Sequence, residues 1–216
     1  NTPDGGVAES PAIGFLSGVH DENLQKSASE RGDVGLMLTP SKQGLVSKAT
    51  GYPFVAIDNG AFSKARKFSA KSFLNLLDKA IAEPGLKDKI LFAVAPDVVA
   101  DAGKTLEMFK EWEPILRKKG VPVAFVAQDG LEDRLDEIPW DKIDVLFVGG
   151  TTKWKLGELD DAEAKARWKS IFVEAQSRGI PIHVGRVNSN KRLTGFSTDI
   201  GASTADGTTN TDCRSW

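Results

Sequence analysis

Cysteine is almost missing from this chain, which carries Cys213 alone among 216 residues. A lone thiol excludes an internal disulfide and any zinc site built from cysteines, and it suits a reducing compartment. Histidine is nearly as scarce, with only His20 and His183 to offer an imidazole. No apolar run approaches the roughly 20 residues that cross a bilayer, so no membrane partner is expected. The opening segment Asn1–Pro11 lacks the basic region and the apolar stretch of a signal peptide, and a loose tail is expected there. Charge of one sign is not in excess either. A formal net charge of −2 excludes a surface coated in cations, although a local basic patch can hide inside a near-neutral total.

What the chain does have is rhythm. Short apolar runs ending in Gly, Asp, Asn or Pro alternate with longer charged stretches of helical spacing. The runs are Ala12–Ser17, Gly35–Pro40, Phe54–Phe62, Ile90–Val99, Pro122–Gly130, Val145–Gly150, Pro181–Val187 and Asp199–Gly207. Between them, Ala70–Ala82 places Phe73, Leu76, Leu77 and Ile81 on one stripe, and Ala102–Lys119 and Ala162–Gln176 are patterned alike. Continuous apolar strands separated by amphipathic helices imply a parallel sheet covered on its outer face. Eight repeats, with no G-x-G-x-x-G turn after the first strand, favour a single-domain (β/α)₈ TIM barrel over a doubly wound sheet. The barrel is expected over residues 12–216.

In such a barrel the residues that close each strand face the site. Here they are polar: Asp58 and Asn59, Asp97 with Asp101 beyond, Gln128 and Asp129, Gly149 and Gly150, Arg186 and Asn188, and Asp206. Carboxylates gathered at one mouth suit glycosyl chemistry, in which one attacks or stabilises the sugar carbon and another moves a proton. Asp and Asn after strands also turn the chain and cap the next helix, and Gly-Gly is a common turn. Both readings stand for each position taken singly.

Several motifs in order carry a family resemblance. D-N-G-A-F at Asp58–Phe62, F-A-V-A-P-D at Phe92–Asp97, A-F-V-A-Q-D-G at Ala124–Gly130, L-F-V-G-G at Leu146–Gly150 and the strand ending at Asp206 resemble the tRNA-guanine transglycosylases. P-D-V-V-A-D-A, V-G-G-T-T-K-W-K-L-G and G-R-V-N-S are similar to the phage and bacterial DpdA-like branch, which puts 7-deazaguanines into DNA. The resemblance implies a pentosyltransferase that exchanges guanine through a covalent aspartyl intermediate. Asp206 would be the nucleophile, with Asp199 as the alternative because Ser203 stands where the family has its first aspartate. Asp58 would be the proton-transfer partner, and Asp97, Gln128, Asn59, Gly149 and Gly150 would bind the base. The family's zinc-binding subdomain is not expected, and no metal or organic cofactor is implied.

The partners implied are nucleic acid, DNA before tRNA, and a free 7-deazapurine base, in the cytoplasm of a bacterial or phage-infected cell. Lys153, Trp154 and Lys155, on a loop at the site face, and Arg186, Asn188, Lys191 and Arg192 are the candidate polymer contacts. Cations meet phosphate and an indole stacks on a base, although the same residues suit a solvated loop with Trp154 packed on the rim. His183, inside a strand, reads as a satisfied barrel histidine. Two other readings stay open: a hydrolytic glycosidase or nucleosidase, and a catalytically silent barrel that binds nucleic acid or a protein.

Overall fold

The structure, a computed structural model, describes residues 14–61, 68–187 and 190–207, without the side chains of 190, 191, 193 and 194. The expected tail Asn1–Pro11 therefore lies outside the described residues, as do Asn188 and Cys213. Eight parallel strands close on themselves in chain order as a (β/α)₈ barrel. They are β1 (Gly14–Ser17), β2 (Val34–Leu38), β3 (Val55–Ile57), β4 (Ile90–Val94), β5 (Val123–Ala127), β6 (Val145–Val148), β7 (Ile182–Val184) and β8 (Ala202–Gly207). Each lies inside or within one residue of an apolar run expected from the sequence. In the last run, Asp199 and Ile200 end a helix instead of starting the strand.

The helices are α1 (Glu22–Arg31), α2 (Val46–Ala49), α3 (Ala70–Ala82), α4 (Ala102–Lys118), α5 (Thr152–Lys155), α6 (Ala162–Ser177) and α7 (Asn190–Ile200). Between β5 and β6 the chain makes three short 3₁₀ turns in place of a helix. Side-chain caps start α1, α3, α4, α5 and α6, because the first backbone N–H groups have no partner within the helix itself. Asp21 accepts from the Leu24 amide at 3.0 Å, Asp101 from Lys104 at 2.9 Å and Asp161 from Ala164 at 2.6 Å. Capping thus accounts for Asp101 beyond β4.

Alternate strand residues serve two cores. Leu16, Met37, Ala56, Phe92, Val94, Ala124, Val126 and Val145 fill the barrel interior. Their neighbours, such as Leu36, Ala93, Val123, Phe125 and Leu146, pack outwards against Leu76, Leu77, Phe109, Leu116 and Phe172 of the helices. Burial on both faces explains why the strands read as continuous apolar runs. No helix among the described residues is long and apolar enough to cross a membrane.

The tightest backbone approach on the sheet is at Gly35. A Cβ there would overlap both the ring of Phe54 and its carbonyl oxygen, and that oxygen accepts from the Leu36 amide at 3.2 Å in the β2–β3 ladder. Gly35→Ala should therefore destabilise the barrel by about 1–3 kcal/mol or more, since a backbone obstacle cannot rotate away. Urea unfolding checks this; an unchanged midpoint would mean that β2 and β3 separate without loss.

Candidate active site

The C-terminal ends of the strands surround a cavity of about 370 Å³ lined by Met37, Lys42, Asp58, Asn59, Val94, Asp97, Val126, Gln128, Phe147, Gly149, Arg186 and Asp206, among others. Its floor is apolar and its rim polar. Asp58 follows β3 in a tight turn: Gly60 N–H donates to Asp58 Oδ1 at 3.2 Å, and Ala61 N–H donates to Asn59 Oδ1 at 2.7 Å. Asn59, 2% exposed, donates through Nδ2 to Ala95 O at 2.9 Å and to Asp97 Oδ1 at 2.8 Å. Gln128, equally buried, donates through Nε2 to Asp97 Oδ2 at 2.7 Å. Its Oε1 accepts from Ala100 N–H at 2.9 Å and Gly150 N–H at 3.0 Å. Gly149 is there for closeness, because a Cβ would lie 2.6 Å from Val126 Cγ1 and 2.9 Å from Gln128 Nε2. Gly150 takes a left-handed φ of 71°.

The opposite wall comes from β7 and β8. Strand register sets His183 beside Thr204 and one pleat from Asp206, so its ring spans both: Nδ1 meets Thr204 Oγ1 at 2.8 Å and Nε2 meets Asp206 Oδ2 at 3.0 Å. The imidazole is wholly buried, between Phe92 and Phe147. The second oxygen, Asp206 Oδ1, accepts from Arg186 N–H at 3.0 Å. Arg186 takes φ 57°, a conformation that costs a non-glycine residue about 1–2 kcal/mol. Its Nη2 donates to Gly150 O at 3.0 Å, which joins the β7 loop to β6.

Charge in this enclosure is unevenly tolerated. Burial pushes the Asp58 carboxyl up to about 7, only partly opposed by the Gly60 amide, and the negative charges of Asp206 and Asp97 raise it further. Asp58 is half-buried and lines the cavity. Asp97 is also raised by burial, while Asn59, Gln128 and Arg186 pull it back. Among the described residues no group of three His, Cys, Asp or Glu side chains is arranged to hold a metal ion.

The expected site residues thus part company. Asp58, Asn59, Asp97, Gln128, Gly149, Arg186 and Asp206 meet at one cavity, while Gly150 sits just behind its Gln128 wall. Asp129 turns away and accepts from the Thr151 N–H at 2.8 Å and hydroxyl at 2.6 Å. Asp199 is exposed on α7 and does not line the cavity. The expected exposed loop at Lys153–Lys155 is instead the one-turn helix α5. In it Trp154 is buried and donates to Glu132 Oε2 at 2.6 Å, and Lys155 is buried and donates to Gly185 O at 2.7 Å. Neither presents a surface to a polymer. Lys153 and Arg192 are exposed. Lys42, which donates to Gly18 O, was missed because nothing in its turn-rich segment marks it. His183, expected to be a satisfied barrel histidine, is buried with both ring nitrogens partnered, and the β7–β8 register is what brings it to Asp206.

No family model and no curated protein matches the sequence. Among solved structures the chain is similar to an HpcH/HpaI aldolase from Desulfitobacterium hafniense, with TM-score 0.52 and 11% identity over 93% of this chain and 86% of that one. It is also similar to a citrate synthase, with TM-score 0.51 and 9% identity over 93% and 86%. A third is an enolase protein from the Sargasso Sea environmental genome, with TM-score 0.51 and 12% identity over 96% and 57%. Such identities establish the shared barrel alone. The expected family resemblance is corrected by these findings: the similar structures are an aldolase, a citrate synthase and an enolase protein, not a tRNA-guanine transglycosylase. Base exchange, pentosyltransferase activity, DNA modification, and the glycosidase and silent-barrel alternatives are withdrawn with it. In the barrel mouth Asp206 meets His183 through one oxygen and accepts from the Arg186 amide through the other, while the Gln128 amide bridges Asp97 and two backbone amides.

The raised Asp58 carboxyl has a consequence for stability. Between the ordinary carboxyl range and about 7 the folded chain keeps a proton that the unfolded chain has released, so this contribution is present at low pH and lost as pH rises towards 7. Asp58→Asn, which carries no charge at any pH, should be more stable than wild type at about pH 8, by on the order of a few kcal/mol, and no more stable at about pH 4. Thermal melts at the two pH values measure the difference; equal gaps would show that Asp58 titrates normally.

Proposed function

We propose that the barrel is a lyase-type enzyme acting on a small anionic substrate. Asp58 moves a proton next to a carbonyl group, and Arg186 holds the negative charge that develops there. The observation that supports this is a carboxyl poised to titrate near neutrality in a cavity that also holds a guanidinium. A group so poised can both take and return a proton at physiological pH. An enolate formed beside Arg186 would be stabilised by a charge fixed in place before the reaction begins.

In the cleavage direction, ionised Asp58 takes the proton of a substrate hydroxyl. The carbon–carbon bond beside it then breaks, the hydroxyl carbon becomes a carbonyl, and the electron pair passes to the other fragment as an enolate. Asp58, now protonated, returns the proton to the enolate carbon. Asp97 stays tied to Asn59 and Gln128 and shapes the wall, and the His183–Asp206 pair holds the Arg186 backbone in its left-handed turn. The apolar floor of Val94, Val126 and Phe147 takes the carbon skeleton. The names of the barrel neighbours, an aldolase and a citrate synthase, agree with a reaction of this class. The scarcity of cysteine leads us to place the protein in the cytoplasm.

Proton abstraction can be tested before the natural substrate is known. Small 2-oxo acids, pyruvate first, are incubated with the protein in D₂O and exchange at the carbon next to the carbonyl is followed by proton NMR. Wild type should accelerate exchange, with a rate that rises through about pH 7 as Asp58 ionises. Asp58→Asn should lose the acceleration, by roughly 100-fold or more. Arg186→Met should weaken saturation by the acid. If no small oxo acid exchanges above the buffer rate, the proposal fails.

A further inference from the structure

A second cavity of about 350 Å³ is lined by residues of α5, α6 and α7. Leu156, Trp168, Phe196 and Ile200 give it apolar walls, while Lys155 and Arg192 bring positive charge and Asp199 one negative. Among the described residues two buried donors are short of acceptors. Lys155 is 6% exposed, and of the three donors on an ammonium one reaches Gly185 O at 2.7 Å. The Trp168 indole N–H is buried without a partner among the described residues. A buried donor left unsatisfied costs about 1–3 kcal/mol, so groups of one polarity collected around a void call for a ligand of the other.

We propose that this cavity binds a small organic anion, a carboxylate or phosphate monoester on an apolar body, with its oxygens between Lys155, Trp168 and Arg192. The apolar body rests on Leu156 and Phe196. Burial, with Arg186 and then Arg192 nearby, pushes Lys155 down to about 8, only partly opposed by Asp206, and an anion beside it relieves that repulsion. Because the same ammonium holds the carbonyl of Gly185, one residue before Arg186, the ligand also bears on the loop that presents Arg186 to the main cavity. This second site does not depend on the reaction assigned to the first.

The test uses the whole chain labelled with ¹⁵N in its tryptophan indoles, titrated with phenyl phosphate, benzoate and, as an uncharged control, benzyl alcohol. The Trp168 N–H resonance, identified by its loss in Trp168→Phe, should move and saturate with either anion and stay still with the alcohol. Lys155→Met should weaken the response by roughly tenfold or more. Arg192→Gln, at an exposed position, carries the same expectation and serves if Lys155→Met fails to fold. Arg186→Met should leave the response in place. A Trp168 resonance that does not move at millimolar anion overturns the proposal. So does an unchanged midpoint in the Lys155 and Arg192 variants, or loss of the response in Arg186→Met, which would put the anion in the main cavity.

Discussion

The mouth of the barrel is held by the side-chain amide of Gln128. Its Nε2 grips Asp97, which Asn59 grips from the other side, and its Oε1 takes the backbone amides of Ala100 and Gly150. One buried group thereby ties the ends of β3, β4, β5 and β6 together. At 2% exposure the amide could not be left unpaired without a penalty comparable to several ordinary surface interactions. The close approach of Gly149 follows from the same constraint, since any side chain there would push the amide off Asp97.

With that half fixed, the remaining half is set by the closing strands. Asp206 can reach both His183 and the Arg186 amide only because β8 pairs with β7 on one edge and with β1 on the other. The two halves meet where Arg186 donates to Gly150 O. Asp97 and Asp206 each have at least two hydrogen-bond donors, whereas for Asp58 burial outweighs its turn amides. The three carboxylates therefore differ through their surroundings alone: Asp97 and Asp206 are held by donors from other strands, and burial raises Asp58 towards neutrality.

The motifs that suggested base exchange record how a parallel barrel is built. Asp58-Asn59-Gly60 is a turn whose side chains accept from the next amides, and Asp101 caps α4. Gly149 follows β6 because Val126 and Gln128 leave no room for a Cβ. Similar letters arise wherever strands end over a shared cavity, so order and spacing alone could not separate one barrel chemistry from another. The lysine and tryptophan loop misled for a related reason: Trp154 and Lys155 look exposed in a polar segment, and only packing against Glu132 and Gly185 shows them turned inward.

By itself the sequence determined the fold. The period of apolar residues changes between strand and helix, and that local pattern suffices to mark eight strands and the bounds of α3, α4 and α6 to within a residue, because burial on one or both faces is written into each element separately. It also named most of the polar side chains that line the main cavity, Thr39 and Lys42 excepted, since strand ends converge there in any closed barrel. What only the tertiary structure decided is how those groups are partnered and buried. Hydrogen-bond partners such as Gln128 with Asp97 and His183 with Asp206 lie 31 and 23 residues apart, and their pairing depends on register and barrel closure. The protonation of Asp58 depends in turn on burial and on charges brought from β4 and β8, neither of which has any trace in the residues beside it.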